Sequence, residues 1–269
     1  IRDRMNKKLT SVNNKEVKAL YQLTLKSKQR KISNTFLIEG LREIKLAMKN
    51  DWQIIQLLFC PKIISEEDLN KSFKNKVKKT EVSIEVYKKI AYRNSTEGVI
   101  AITSCKDHDL KKIKFKSNNP LIIVIEAPEK PGNIGAILRT ADAANIDAVI
   151  IANPKTDIYN PNIIRSSVGS IFTNNIYVGN TTEVISLLNN KNIKIYASSL
   201  QADELYHNQN YCESCALILG TEDKGISKDW SQNSYKNVKI PMLGVVDSLN
   251  LSNAAAILIF EALRQRNFK

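Results

Sequence analysis

The sequence predicts an α/β protein in which a small α/β domain precedes a second domain built on a parallel sheet. Short apolar runs alternate with helical patterns along the 269 residues, and this alternation is typical of α/β folds. In the second part the apolar runs are continuous and bounded by turn residues, as in strands buried on both faces of a parallel sheet. The excess of positive over negative charge is confined to the first part, which separates the two parts by composition.

The charge distribution indicates a partner for the first part. Residues 1–116 hold 27 Lys and Arg against 13 Asp and Glu, a net charge of +14, whereas residues 117–269 hold 13 against 14, a net charge of −1. A basic module beside a neutral one fits a polyanion-binding part attached to a part with another task. A lysine-rich solvated surface is the simpler alternative, but it does not explain why the bias stops near residue 116.

Composition also bears on the compartment. The sequence has no apolar run of the roughly 18 residues that span a bilayer and opens with no signal peptide. Four scattered cysteines do not predict a disulfide framework. Cys212 and Cys215 form a lone C-x-x-C pair, and with two histidines in the chain they do not predict a zinc site. We therefore expect a reduced, cytoplasmic protein with no metal and no membrane partner.

The first part divides into an extension and a domain. After a loose lead-in at 1–12, apolar residues at helical spacing predict one amphipathic helix over 15–28, and we interpret 1–30 as a basic helical extension. An α/β domain over 31–106 and a polar linker over 107–119 follow. Within the domain we expect strands at 35–38, 52–60 and 99–103, helices at 40–50 and 65–68, and a strand-to-helix segment over 82–92.

The second part, 120–269, opens with a βαβ unit. A buried strand at 121–125 is followed by a loop, a helix at 134–145 and a strand at 148–152. Asn145 ends that helix and suits a left-handed C-cap. Further expected elements are a turn and short helix at 159–169, strands at 176–178, 193–198, 216–219 and 238–242, and a helix at 251–266.

Three loops follow strands of this predicted sheet, at 128–133, 220–225 and 243–250. Ligands bind at the carboxyl ends of the strands in open α/β sheets. Asn250 and Ser252 are both good N-caps for the last helix, and a helix N-terminus offers backbone donors to a ligand. Neither a P-loop nor a G-x-G-x-x-G sequence occurs, which disfavours a nicotinamide-dependent dehydrogenase.

Residues 133–141, 219–225 and 240–250 resemble, in order and spacing, the three motifs of the SpoU branch of the SPOUT RNA methyltransferases. Residues 159–169 resemble the same family, and 36–40 and 95–99 resemble its substrate-binding domain. The residues that carry the three motifs are Asn133, Gly135, Arg139, Leu219, Gly220, Glu222, Gly225, Ile240, Pro241, Met242, Ser248, Leu249 and Asn250.

This resemblance implies an RNA 2′-O-ribose methyltransferase that uses S-adenosylmethionine. It implies a C-terminal domain with a trefoil knot, a ribosomal-protein-like substrate-binding domain before it, and a homodimer whose active site is completed across the interface. The two-domain plan favours 23S rRNA as the substrate, since tRNA-specific relatives often lack the first domain. The alternatives are the same chemistry on tRNA, and a non-catalytic RNA-binding protein with a degenerate knot domain.

The resemblance also implies roles for individual residues. The catalytic cluster would be Asn133, Arg139, Glu222, Ser248 and Asn250. The cofactor would be held, largely through backbone groups, by Leu219, Gly220, Ile240, Met242 and Leu249.

Arg139 is often given the role of general base in this family. A guanidinium stays protonated in proteins and is a poor base, so we expect Arg139 mainly to position the target phosphate and ribose and to stabilise the nascent alkoxide. Glu222 would orient Arg139 or bind a polar group of the ligands. The lysine-rich first part would bind the RNA backbone, and Tyr87 and Tyr92 are candidate stacking platforms or simply core residues.

Overall fold

The computed structural model describes residues 7–73, 77–93, 97–221 and 223–268. These residues form two compact units. One runs to Lys106 and includes Ile158–Thr173, and the other comprises Asp107–Asp157 and the chain from Asn174 onward. The predicted α/β class is confirmed. The knot stays a prediction.

The first unit is a five-stranded mixed sheet with helices. Its strand order is β1-β4-β3-β5-β2, with β5 antiparallel to both of its neighbours and the other pairs parallel. The elements are β1 Lys7–Leu9, α1 Lys15–Leu25, α2 Ser27–Ser33, β2 Thr35–Glu39, α3 Leu41–Lys49, β3 Ile54–Phe59, α4 Glu66–Ser72, β4 Lys78–Val82, α5 Ile84–Ile90 and β5 Val99–Ser104, with α7 Pro161–Ser167 from the later segment.

Two predictions for the start of the chain are wrong. The lead-in contains β1, which pairs in parallel with β4 from Lys7 opposite Thr80. The single helix over 15–28 is two helices, because Lys26 adopts extended dihedral angles (φ −118°, ψ 117°) between α1 and α2. The apolar face of α1 lies in the core of this unit, so these residues are part of the folded unit.

Aromatic packing explains why Ile158–Thr173 belongs to the first unit. The Phe36 ring stacks on Tyr159 at 4.3 Å between centroids. The Trp52 indole N–H donates a 3.1 Å hydrogen bond to the carbonyl of Phe172. Aromatic contacts and a satisfied buried indole together anchor the segment.

The second unit is a seven-stranded sheet in which every pair is parallel, as the continuous apolar runs predict. Its strand order is β10-β12-β9-β11-β6-β7-β8. The elements are β6 Leu121–Glu126, α6 Pro131–Ala143, β7 Ala148–Ala152, β8 Ile176–Gly179, α8 Thr181–Asn190, β9 Lys194–Ser198, β10 Glu204–Leu205, β11 Cys215–Leu219, α9 Lys228–Asn233, β12 Lys236–Lys239 and α10 Leu251–Gln265.

The local sequence explains several element ends in this unit. Asn145 follows α6 with φ +47°, the left-handed conformation expected there. The sequence reading missed α8, although Asn180 and Glu183 form a complete capping box at its start. The strand expected over 238–242 is displaced, because β12 ends at Lys239 and 240–242 leave the sheet. Among the described residues no helix is long and apolar enough to cross a membrane.

Candidate active site

The carboxyl ends of β6, β9, β11 and β12 lie at one edge of the parallel sheet, and the loops that follow them converge there. From β6 the chain adds β7 and β8 on one side of the sheet, and all later strands lie on the other side of β6, with β11 directly beside it. Ligand sites in open α/β sheets form at such a switch point. The four loops therefore surround the place where a ligand is expected.

A cavity lies between the loops after β9, β11 and β12 and the first turn of α10. It brings together all five residues assigned to the cofactor by resemblance, together with one residue of the catalytic set. These six lining residues are Leu219, Gly220, Ile240, Met242, Ser248 and Leu249. The loop after β9, with Ser199 and Gln201, forms another part of the wall. The sequence analysis assigned no site residue to this loop. Its position directly after a predicted strand could have indicated that it contributes to the site.

The loop after β11 is closed tightly under the cavity. Thr221 and Gly225 exchange two backbone hydrogen bonds of 3.0 and 2.9 Å. A Cβ atom on Gly220 would stand 1.9 Å from the Gly225 carbonyl carbon and oxygen. Both are backbone atoms, so a side chain at Gly220 would displace the loop that forms the cavity floor.

The loop after β12 has backbone N–H and C=O groups that are not hydrogen-bonded to other backbone groups of the described residues. No backbone–backbone hydrogen bond between described residues involves 240–249. Ile240, Met242 and Leu249 of this loop are among the residues that line the cavity. Backbone donors and acceptors that are not paired within the fold are available to a bound molecule.

Asn133 and Asn250 lie side by side at the starts of two helices. Asn250 caps α10 by accepting from the Ser252 N–H at 2.9 Å, and its Nδ2 donates to Oδ1 of Asn133 at 3.1 Å. Asn133 also lines a smaller cavity, which shares Thr221, Asp223 and Leu251 with the larger one. The two cavities are therefore neighbours, with the asparagine pair on the side of α6.

Arg139 is not brought into either cavity. Its side chain is exposed on α6, and it has no hydrogen-bond or ion-pair partner within the described part of the chain. Ser248 is exposed as well and lies at the mouth of the larger cavity. Glu222 lies outside the described residues.

Glu126 is a buried acid that the sequence reading placed in the loop after β6 without a role. It is the last residue of β6, 6% exposed. Its Oε1 accepts from the Thr181 hydroxyl at 3.0 Å, and its Oε2 accepts from the Ser227 N–H at 2.7 Å. Ser227 follows Ile226 of the cavity wall. Glu126 thus fixes the end of the loop after β11, and an acid ending an otherwise apolar strand was the signal for it.

Comparison with known proteins identifies this arrangement. The model of the SpoU rRNA Methylase family matches residues 120–260, more than half of the chain. The chain belongs to the SpoU rRNA methylase family. A model described as an MRM3-like substrate binding domain matches residues 14–101. The family named from the sequence motifs is confirmed.

Relatives match along nearly the whole chain. The 23S rRNA (guanosine(2553)-2′-O)-methyltransferase RlmP of Bacillus subtilis is 28% identical, over 94% of this chain and 98% of its own length. A crystal structure of an RNA 2′-O ribose methyltransferase is 35% identical with a TM-score of 0.84, covering 97% of this chain and 99% of that one. An AdoMet-bound rRNA methyltransferase from Sinorhizobium meliloti is 28% identical with a TM-score of 0.87, covering 96% and 97%.

The larger cavity suits S-adenosylmethionine. Its walls combine apolar side chains such as Leu219 and Leu249 with hydroxyls and free backbone groups. An adenosine needs this combination, because its base is flat and apolar on its faces and polar at its edge. No group of three or more His, Cys, Asp or Glu within the described ranges could hold a metal ion.

Proposed function

We propose that this chain is an S-adenosylmethionine-dependent methyltransferase that modifies a ribose 2′-OH of 23S rRNA. The observation that carries the proposal is the cavity at the sheet edge, whose lining includes Leu219, Gly220, Ile240, Met242 and Leu249. Its family membership and the names of its full-length relatives support the same chemistry. The four cysteines are free thiols, which suits action in the cytoplasm.

Three loops would hold the cofactor. Leu219 and Leu249 would pack against the adenosine, and the free backbone groups of 240–249 would pair with its polar edge. S-adenosylmethionine supplies a methyl group made electrophilic by its sulfonium. Gly220 leaves the floor of the cavity free of a side chain.

The protein must then align a weak nucleophile. A ribose hydroxyl is a very weak acid, so the site has to orient its oxygen and stabilise the charge that develops on it. Orientation supplies roughly 7–11 kcal/mol of barrier reduction in well-aligned reactions. A fixed cation or donor at the oxygen adds about 2.7–4 kcal/mol. Asn133 and Asn250 would fix the ribose, and Arg139 would stabilise its oxygen.

The position of Arg139 supports a homodimer. The guanidinium is exposed and without a partner in the described residues, outside both cavities of its own chain. Leu243 and Val245, beside the larger cavity, are fully exposed at 97% and 104%. Exposed apolar groups of this kind mark interaction sites. We propose that a second copy covers them and that Arg139 of one copy completes the site of the other.

The first unit would bind the RNA. Residues 1–116 carry the entire positive excess of the chain. Lysine and arginine contacts to phosphates supply affinity that falls steeply with salt. The match of residues 14–101 to a substrate-binding domain supports this division of tasks. We propose that residues 31–106, together with the packed helices α1 and α2, form the RNA-binding domain, and that residues 120–269 form the methyltransferase domain.

The experiment that tests the proposal is transfer of labelled methyl groups from S-adenosylmethionine into RNA from cells that lack this enzyme. We expect label in large-subunit rRNA, and none with Arg139→Ala. Label confined to tRNA would replace the proposed substrate by tRNA. Cofactor binding without transfer to any RNA would contradict the proposal and favour a non-catalytic RNA-binding protein.

A further inference from the structure

A third cavity, which contains an unusual polar group, lies in the first unit, apart from the methyltransferase residues. It is lined by apolar side chains of β2, α5, β5 and α7, among them Leu37, Ile90 and Ile164. Three charged side chains also reach it, Glu39, Arg93 and Arg165. An apolar pocket with a few convergent polar groups is the usual form of a binding site.

Glu39 has one oxygen occupied and one free. Oε2 accepts from the backbone N–H groups of Tyr92 and Arg93 at 2.9 and 3.2 Å. Oε1 is buried and has no hydrogen-bond partner among the described residues. Burial raises the pKa of Glu39, opposed by those two N–H groups. A buried acceptor without a partner is rare in proteins and calls for a donor from elsewhere.

The surroundings of Glu39 suit a nucleotide. Tyr92 lines the cavity and is 43% exposed, whereas Tyr87, the other tyrosine of this stretch, is buried at 1% in the core. Unstacked bases in RNA are bound by stacking on aromatic rings. The Arg165 guanidinium is exposed and unpartnered within the described residues, which leaves it available to a phosphate.

The number of carboxylate oxygens of Glu39 that lack a partner limits which base could bind there. Guanine presents adjacent N1–H and N2–H donors, which fit a carboxylate with two free oxygens, and one of them would stay unpaired against a single free oxygen. Only one oxygen is free here. Cytosine and adenine each offer a single exocyclic amino group as a donor. Uracil offers only its N3–H as a donor, and that N–H lies between two carbonyl oxygens, which Oε1 would repel.

We propose that the cavity formed by Glu39, Tyr92 and Arg165 binds an unpaired cytosine or adenine of the RNA substrate, with the exocyclic amino group donating to Oε1 of Glu39. This inference rests on the proposed function, because it assumes that the first unit binds RNA. It assigns to this unit a base-reading site in addition to phosphate contacts. The site would select where the RNA docks, separately from the methyl transfer itself.

The substitution Glu39→Gln tests the proposal because it should reverse the base preference. The Tyr92 and Arg93 N–H groups require an acceptor, so the glutamine oxygen would take the place of Oε2 and its NH₂ would replace Oε1. The free acceptor then becomes a donor. Bases with a carbonyl at the same position should now be preferred over bases with an amino group.

The measurement is the Kd of short oligonucleotides in two matched pairs, oligocytidylate with oligouridylate and oligoadenylate with oligoinosinate. For the wild type we expect the amino member of at least one pair to bind about fivefold or more tightly, the size of one hydrogen bond. Glu39→Gln should reverse that ratio. Glu85→Gln, an exposed acid of α5, makes the same charge change and should leave the ratio as in the wild type.

Equal binding within both pairs by the wild type would overturn the inference. A preference that Glu39→Gln leaves unchanged would also overturn it, because another part of the protein would then read the base. Methyl transfer into rRNA is measured on the same preparations. Transfer that persists while the base preference is absent refutes this site alone, whereas loss of transfer by the wild type would refute the proposed function as well.

Discussion

The side-chain amide of Asn250 donates a 3.1 Å hydrogen bond to the amide oxygen of Asn133, although the two residues are 117 positions apart in the chain. Asn133 is in the first turn of α6, and Asn250 caps α10. The bond joins the starts of two packed helices and places two predicted catalytic residues beside each other. The same asparagine therefore caps α10 and contacts the other predicted catalytic asparagine.

Substitutions at Asn250 should separate these two tasks. Asn250→Ser keeps a capping oxygen but has no side chain long enough for Asn133, so we expect near-normal stability with methyl transfer reduced about tenfold or more. Asn250→Ala removes the cap as well and should cost about 1 kcal/mol of unfolding free energy in addition. Denaturant unfolding and single-turnover transfer measure the two effects. Full transfer activity in Asn250→Ser would show that the bond to Asn133 has no catalytic value.

Gly220→Ala should damage cofactor binding. The added methyl would meet the Gly225 backbone at 1.9 Å, and the loop below the cavity would have to move. We expect the affinity for S-adenosylmethionine, measured by calorimetry, to fall at least about tenfold. Gly132→Ala is the matched control, because a Cβ there meets nothing within 4 Å. Equal affinity in Gly220→Ala and wild type would place the cofactor elsewhere.

Arg139→Lys keeps the charge but loses the forked guanidinium. We expect methyl transfer to fall by about 10²–10³-fold, as for loss of a charge-stabilising donor, while cofactor affinity stays within about twofold. Comparable losses of both would contradict the assignment.

The shared site can be tested by mixing two inactive variants. In a mixed dimer of Arg139→Ala and Gly220→Ala, one site would combine an intact cofactor cavity with an intact arginine from the other copy. We expect activity to appear when the two variants are mixed and exchanged. Mass spectrometry should verify that mixed dimers have formed. If they have formed and the mixture is inactive, Arg139 acts within its own chain.

Ala127 carries backbone strain beside the site. It follows β6 with φ +45°, a left-handed conformation that disfavours residues with a Cβ. Ala127→Gly should raise the unfolding free energy by about 0.5–1 kcal/mol, since the strain relieved exceeds the entropy gained by the unfolded chain. Ala19→Gly, at an exposed position within α1, should instead lower it by about 0.5–1 kcal/mol. A destabilised Ala127→Gly would show that the strain is absent.

The C-x-x-C pair should react unevenly with thiol reagents. Cys212 is exposed, whereas burial raises the pKa of Cys215 to about 11. At pH 8 only about one in a thousand Cys215 thiols would be ionised, and the thiolate is the reactive form. Iodoacetamide labelling followed by mass spectrometry should modify Cys212 first and Cys215 only on unfolding. Simultaneous labelling of both in the folded protein would contradict this.

The sequence was most informative where local patterns decide the structure. The apolar runs of β6, β7 and β11 predicted a parallel sheet, and Asn145 predicted the left-handed end of α6. The residues that the family resemblance assigned to the cofactor are all found in the lining of the larger cavity.

The failures have non-local causes. β1 is three residues long and exists because β4 pairs with it from more than 70 residues away, so its own sequence contains no strand pattern. Ile158–Thr173 joins the first unit through Phe36 and Trp52, which no local period reveals. The position of Arg139 outside the cavities of its own chain is not a failure of this kind, because the resemblance implies a site that a second copy completes.

The central claim is that the methyl group is placed on a ribose 2′-oxygen of 23S rRNA, and the most direct test is to identify the methylated nucleoside. Labelled 23S rRNA from the transfer reaction is hydrolysed with alkali, which cleaves next to a free 2′-OH and leaves a 2′-O-methylated linkage intact. We predict that the label is recovered in an alkali-resistant dinucleotide from one position, and only when Arg139 is present. Label recovered in mononucleotides would mean methylation of a base and would contradict the account.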